Sequence, residues 1–184
     1  PANIAKACKR VGARMLQIST DFVFDGKQST PYLVSSKPNP LGVYGASKQA
    51  GDEAVLKQLG DDCTIVRTSW VYSAHGNNFV KTMIRLMSER AELVIVADQV
   101  GTPTWANGLA RAIWAMLEKN VTGIQHWSDD GVASWYDFAM AIYEEGTTAG
   151  LINNGCTIKP IHTDQYPVLA TRPQYGVLDK LASI

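Results

Sequence analysis

The chain has 184 residues, 46% hydrophobic and 18% charged, a balance that supports one sizeable core or two small lobes and excludes a disordered chain. Lys plus Arg equals Asp plus Glu at 17 each, so no basic surplus marks a nucleic-acid or anionic-membrane binder. Three widely spaced cysteines, Cys8, Cys63 and Cys156, fit neither a disulfide framework nor a CxxC metal site, and no apolar run approaches the ~20 residues of a membrane helix, so a reducing, cytoplasmic setting is expected.

In chain order, the periodicity predicts a helix over residues 2–11, with Ile4, Ala7, Cys8 and Val11 at helical spacing and Gly12 as its stop. Met15-Leu16-Gln17-Ile18 reads as a short strand, and Ser19 to Asp25 falls where that strand ends. In an open parallel sheet ligands bind beyond the carboxyl ends of the strands, which favours Thr20 and Asp21 as site residues; a polar strand cap is the competing role. Residues 26–40, with Gly26, Pro31, Pro38 and Pro40, form a loop long enough to serve as a lid or substrate-facing segment. A helix then runs from near Tyr44 to about Leu59, with Ala50, Ala54, Val55 and Leu59 as its apolar face and Gly60 as its end.

Tyr44 and Lys48 lie four apart, on one face of that helix. With seven Tyr and ten Lys, chance supplies about 0.4 Tyr-x-x-x-Lys pairs in a chain of this length, so the spacing alone is weak. The chemistry is more selective. A Tyr of ordinary pKa near 10 is a poor acid-base group at neutral pH until a neighbouring cation favours its phenolate. As hydride reaches a carbonyl carbon, the oxygen gains charge; Tyr44 would protonate it, Lys48 would support Tyr44, and the Thr20 hydroxyl would hold the oxygen.

Beyond this, residues 63–72 read as a buried strand entering a polar aromatic loop, 79–89 as a helix with Val80, Met83, Ile84 and Met87 inward, and 93–97 as a strand. Residues 106–119 and 134–145 read as helices, 123–127 and 157–161 as strands, and 98–104 as a Gly/Pro turn. Asn77 and Asn78 could bond hydroxyls or phosphates, or cap the helix that follows. Trp70 offers an aromatic face to the apolar side of a ligand, with core packing as its competing role. His126 is expected to be structural, since Tyr44 already has the acid-base task. Arg172 could meet a phosphate or pair on the surface.

The stretches Ile18-Ser19-Thr20-Asp21-Phe22-Val23-Phe24-Asp25-Gly26, Tyr44-Gly45-Ala46-Ser47-Lys48, Arg67-Thr68-Ser69-Trp70-Val71-Tyr72, Gly76-Asn77-Asn78-Phe79, Asp98 to Thr104 and Arg172-Pro173 together resemble the dTDP-4-dehydrorhamnose reductases. These belong to the extended short-chain dehydrogenase/reductases. The resemblance covers nearly the whole chain. It implies an α/β fold: the C-terminal part of a Rossmann-like doubly wound parallel sheet over residues 1–98, and a small α/β substrate-binding lobe mainly over 99–184, with some elements returning to the main sheet. It also implies reduction of the 4-keto group of dTDP-6-deoxy-L-lyxo-4-hexulose to dTDP-L-rhamnose with NADPH or NADH. Tyr44 would be the proton donor, Lys48 its partner and a ligand of the nicotinamide ribose, and Ser19 and Thr68 further cofactor contacts. Thr20, Asp21, Phe24, Trp70, Asn77, Asn78 and Arg172 would meet the dTDP-sugar. The same resemblance admits Mg2+ as an auxiliary ion and a homodimer as the assembly.

One departure stands against these matches. None of the fifteen glycines forms the Gly-rich turn that lets backbone NH groups approach a dinucleotide pyrophosphate. Relatives carry that turn in an N-terminal βαβ segment, so the chain is expected to be a fragment that keeps the catalytic positions and binds NAD(P)H poorly by itself. Two other readings stay open. Another nucleotide-sugar epimerase or ketoreductase would share Thr20, Tyr44 and Lys48. A non-catalytic relative such as the methionine adenosyltransferase beta subunit would share the fold.

Overall fold

The structure is a computed structural model, which describes residues 1–167 and 170–181. Helix α1 (Ala2–Val11) stops at Gly12, whose φ of 66° is the left-handed conformation that glycine adopts without strain. Strand β1 (Met15–Thr20), helix α2 (Val43–Leu59) and strand β2 (Cys63–Thr68) form a β-α-β unit with parallel strands. Helix α1 packs its small Ala5 and Cys8 against Val55, Leu59 and Cys63. Ile4 and Val11 instead remain 60% and 69% exposed, so the inward stripe of α1 is narrower than its periodicity predicts.

All six residues of β2 are buried, which places it inside the sheet rather than at an edge. Its second neighbour is β7 (Gly123–His126), reached after much intervening chain, so the order is β1-β2-β7. The register sets Thr20 beside Thr68 and Arg67 beside His126. Helix α4 (Ala106–Glu118) precedes β7, and Leu109 and Met116 pack with Val66 to cover the sheet.

A second cluster brings together α3 (Phe79–Glu89), β4 (Glu92–Val96), α5 (Trp135–Thr148) and β9 (Thr157–Ile161). Strands β4 and β9 pair in parallel, and the core between these elements contains Met83, Met87, Leu93, Ile95, Phe138, Ile142 and Ile152. Ser134 and Asp137 form a capping box that starts α5. The helix then runs three residues past the expected Glu145.

Two-residue strands complete the frame. β3 (Val71–Tyr72) pairs in parallel with β6 (Thr104–Trp105), and β5 (Val100–Gly101) pairs antiparallel with β8 (Ala133–Ser134). The tail returns to earlier parts of the chain through bridges from Tyr32 to Leu178 and from Val100 to Tyr175. Among the described residues no helix is long and apolar enough to cross a membrane.

Candidate active site

At the carboxyl ends of β1 and β2 lies a cavity of about 870 Å3, within the size range of small-molecule sites. It is lined by Ser19, Thr20, Asp21, Tyr44, Lys48, Thr68, Trp70 and Arg172, which brings eight of the expected site residues to one place. They come from four separate stretches of chain. The topology gathers them: a parallel β-α-β unit returns β2 to the side of β1, and its helix begins above the strand ends.

Local chemistry fixes each group. The Thr20 hydroxyl accepts from Phe22 N at 3.2 Å, capping the 3-10 turn Asp21–Val23, and donates to Asp21 Oδ1 at 3.0 Å. A Cβ on Gly45 would collide with the Phe22 carbonyl, so glycine there lets the first turn of α2 press against that turn. Tyr44, the preceding residue, is 57% exposed and sets its ring edge-on to Phe22 with centroids 5.7 Å apart. Lys48 Nζ donates to the Ile18 carbonyl at 2.5 Å, tying α2 to the C-terminal half of β1. One turn further along α2, buried Asp52 accepts from Gln17 Nε2 at 2.6 Å and from Ser19 Oγ at 2.5 Å.

Asp21 is 3% exposed, and Gly176 lies against its Oδ2. Burial pushes its carboxyl up from 3.8 to about 7, against the downward pull of the Thr20 and backbone hydrogen bonds. The site therefore contains a carboxyl that can hold a proton near neutral pH. On the far wall Trp70 stacks on Trp135 at 3.6 Å. Arg172 is exposed and lines the main cavity, a second of about 270 Å3 and a third of about 580 Å3, so it stands where the three meet.

Some expected residues are elsewhere. Phe24 is fully buried, stacked on Tyr32 at 4.2 Å and edge-on to His126, so it has no surface to offer a sugar. Asn78 caps α3, accepting from Lys81 N at 3.1 Å and donating to the Ser73 carbonyl at 2.7 Å; neither it nor exposed Asn77 lines the cavity. Ser19 does line it, but its hydroxyl hydrogen is engaged by Asp52. His126 is structural as expected: it is fully buried, Nδ1 lies 3.1 Å from the Asp179 carbonyl, and burial holds the ring down at about 4. Among the described residues no group of three or more His, Cys, Asp or Glu could hold a metal ion.

Two contributors carry no signal in the sequence. Trp135 lines both the main and the second cavity, but it is the first residue of a helix that carries no site motif. Asp52 sits on what reads as the apolar side of α2, where a carboxylate signals solvent unless its partners on β1 are known.

A parallel sheet whose strand ends open onto a cleft holding Thr, Tyr and Lys defines the class as Rossmann-like, the fold of the nucleotide-sugar reductases and epimerases. Within that class, residues 1–183 match the family model described as RmlD substrate binding domain, and the chain belongs to that family. It is 43% identical over 181 residues to the dTDP-4-dehydrorhamnose reductase of Escherichia coli (strain K12), covering 96% of this chain and 60% of the relative. It is 39% identical over 176 residues to a dTDP-4-keto-6-deoxy-D-glucose reductase of Streptomyces niveus, covering 95% and 59%. The crystal structure of a dTDP-4-dehydrorhamnose reductase from Bacillus anthracis in complex with NADP superposes with a TM-score of 0.91 at 38% identity, covering 98% of this chain and 62% of that one. The chain thus spans about three fifths of the length of these relatives.

Proposed function

We propose that this chain supplies the catalytic and sugar-binding part of an NAD(P)H-dependent reductase that converts dTDP-4-dehydro-6-deoxy-L-mannose to dTDP-L-rhamnose in the cytoplasm. The observation that carries the proposal is the meeting of Thr20, Tyr44 and Lys48 on one cavity at the strand ends. The names of the relatives supply the substrate class.

The sugar's 4-keto oxygen sits between the Tyr44 hydroxyl and the Thr20 hydroxyl, which turns its hydrogen from Asp21 Oδ1 to that oxygen when the substrate binds. The nicotinamide, when bound, supplies the hydride to the carbonyl carbon. Tyr44 passes its proton to the oxygen as charge develops there, and the Lys48 ammonium one turn along α2 stabilises the charge left on Tyr44. Because Tyr44 is more than half exposed, solvent returns its proton. Lys48 and Thr68 flank the cofactor side of the cavity, and Lys48 is already fixed by the Ile18 carbonyl. Trp70 packs on the apolar face of the deoxy sugar. Arg172 meets the diphosphate by charge-assisted bonds, and the base extends into the second cavity beside Phe79, Met83 and Trp135.

The test uses the chain joined to an N-terminal cofactor segment of the length its relatives add, followed by NADPH oxidation. Tyr44→Phe is expected to lower kcat by about 10²-fold or more, with a smaller change in KM for the sugar nucleotide. A loss of only a few-fold sinks the proton-donor assignment. The Streptomyces niveus relative favours a second reading, in which the substrate is dTDP-4-keto-6-deoxy-D-glucose. Assaying both hexuloses side by side decides between them, because the preferred one has the higher kcat/KM.

A further inference from the structure

Trp70 has a backbone φ of 45°. A bulky residue adopts that left-handed conformation only when its surroundings over-determine it. The determinants are all on one side of the main cavity. The indole stacks on Trp135 with ring centroids 3.6 Å apart and planes within 10°. Gly101 approaches the indole so closely that a Cβ added there would lie 2.7 Å from Cε2 and 2.9 Å from Nε1. The backbone is tethered as well: Ser69 Oγ donates to the Thr102 carbonyl at 2.7 Å, and Thr104 N donates to the Trp70 carbonyl at 3.2 Å.

These constraints have a common source. Strands β5 and β8 pair Gly101 with Ala133, two residues before Trp135. One short antiparallel pair therefore sets both the gap that admits the indole and the ring that stacks on it. Trp135 is steadied in turn by Phe79, 4.7 Å away between centroids. Trp70 and Trp135 line the cavity that contains Tyr44, whereas Gly101 does not.

We propose that Gly101 and Trp135 are positioning residues: they clamp Trp70 in its left-handed conformation so that its indole forms a rigid wall, which sets the angle at which the sugar's 4-keto group meets Tyr44. This rests on the ketoreductase reading above. It assigns Gly101 a role that requires the absence of a side chain, and it makes the unexpected Trp135 part of the device that orients the sugar.

The experiment is a double-mutant cycle in the chain joined to its cofactor segment, with Gly101→Ala, Trp70→Phe and the combination, and Trp135→Leu beside them. The methyl of Gly101→Ala displaces the indole, so kcat for the hexulose is expected to fall at least tenfold while KM for NADPH stays within twofold. Trp135→Leu removes the stack and is expected to give a loss of the same order. Phe at position 70 leaves room for the methyl, so the combined variant is expected to lie within threefold of Trp70→Phe alone. If the effects of Gly101→Ala and Trp70→Phe simply multiply, or if Gly101→Ala lowers the melting temperature while kcat per folded enzyme is unchanged, the clamp is overturned. Should Gly101→Ala fail to fold, Trp135→Leu is measured in the wild-type and Trp70→Phe backgrounds: an unchanged kcat, or a tenfold loss in both backgrounds, refutes the proposal, and a tenfold loss that shrinks to within threefold once Trp70 is Phe supports it. A wild-type enzyme that turns over neither hexulose overturns the ketoreductase reading instead. The same cycle is then read from tryptophan-fluorescence titrations with dTDP-L-rhamnose, where multiplying effects on Kd would still refute the clamp.

Discussion

Asp21 and His126 are buried titratable groups that the fold pushes in opposite senses as charges but toward the same neutral state. Asp21 is raised from 3.8 to about 7, so the folded protein binds its proton more tightly than the unfolded chain. Its stabilising contribution is full below about pH 4 and is lost as pH rises toward 7. His126 is lowered from 6.5 to about 4, so its contribution is full above 6.5 and is lost as pH falls toward 4. Over that shared window the two slopes oppose each other. Asp21→Asn removes one of them, and the variant's stability relative to wild type is expected to rise steadily from pH 4 to 7 in urea unfolding at fixed ionic strength; a flat difference would refute the assignment. At this scale the gathering of Thr20, Tyr44 and Lys48 on one cavity was legible, because the spacing of Tyr44 and Lys48 puts both on one helix face and Thr20 lies at a strand end. The burial of Asp21 was not, since one of the groups against it, Gly176, comes from far along the chain.

The joint between β1 and α2 is the element on which the site depends. Gln17 and Ser19 donate to Asp52 from alternate positions of β1, and Arg67 Nε of β2 lies 3.9 Å from the same carboxylate. The guanidinium is 2% exposed, with Phe24 beneath it at 5.2 Å. Burial pulls Arg67 down from its ordinary value, and Asp52 works against that pull. Removing Asp52 strands this cation and two hydrogen-bond donors in the interior. Asp52→Ala is therefore expected to cost about 3–5 kcal/mol. The exposed pair Arg85–Glu89 offers a control, where Glu89→Ala should cost at most ~0.5 kcal/mol in the same denaturant titration. The limits of α2 could be read from its periodicity and from Gly60, but its inward face could not. Ala50 is exposed while Asp52 is buried, because hydrogen bonds to β1 outweigh the preference of a carboxylate for water.

For the molecule as a whole, the order of long elements was legible and the short pairings were not. Two-residue strands such as β5 and β8 have no period to detect, and they form because the larger elements bring their backbones together. The returning tail escaped for the same reason. It closes the small core of Val23, Phe24, Tyr32 and Leu178, with Tyr32 N donating to the Val177 carbonyl at 2.9 Å and Asp179 N to the Tyr32 carbonyl at 2.8 Å. Leu178→Ala opens a cavity in that core and is expected to cost about 2–5 kcal/mol in equilibrium unfolding. An unchanged midpoint would show that the tail is only lightly attached. The tail also gives the site a birth order. A chain leaves the ribosome from its N-terminus, at about 5–20 residues per second. Thr20, Tyr44 and Lys48 emerge before Gly176, the residue that lies against Asp21 in the folded chain. The side of the pocket formed around Asp21 can therefore be completed only after the returning tail has been made.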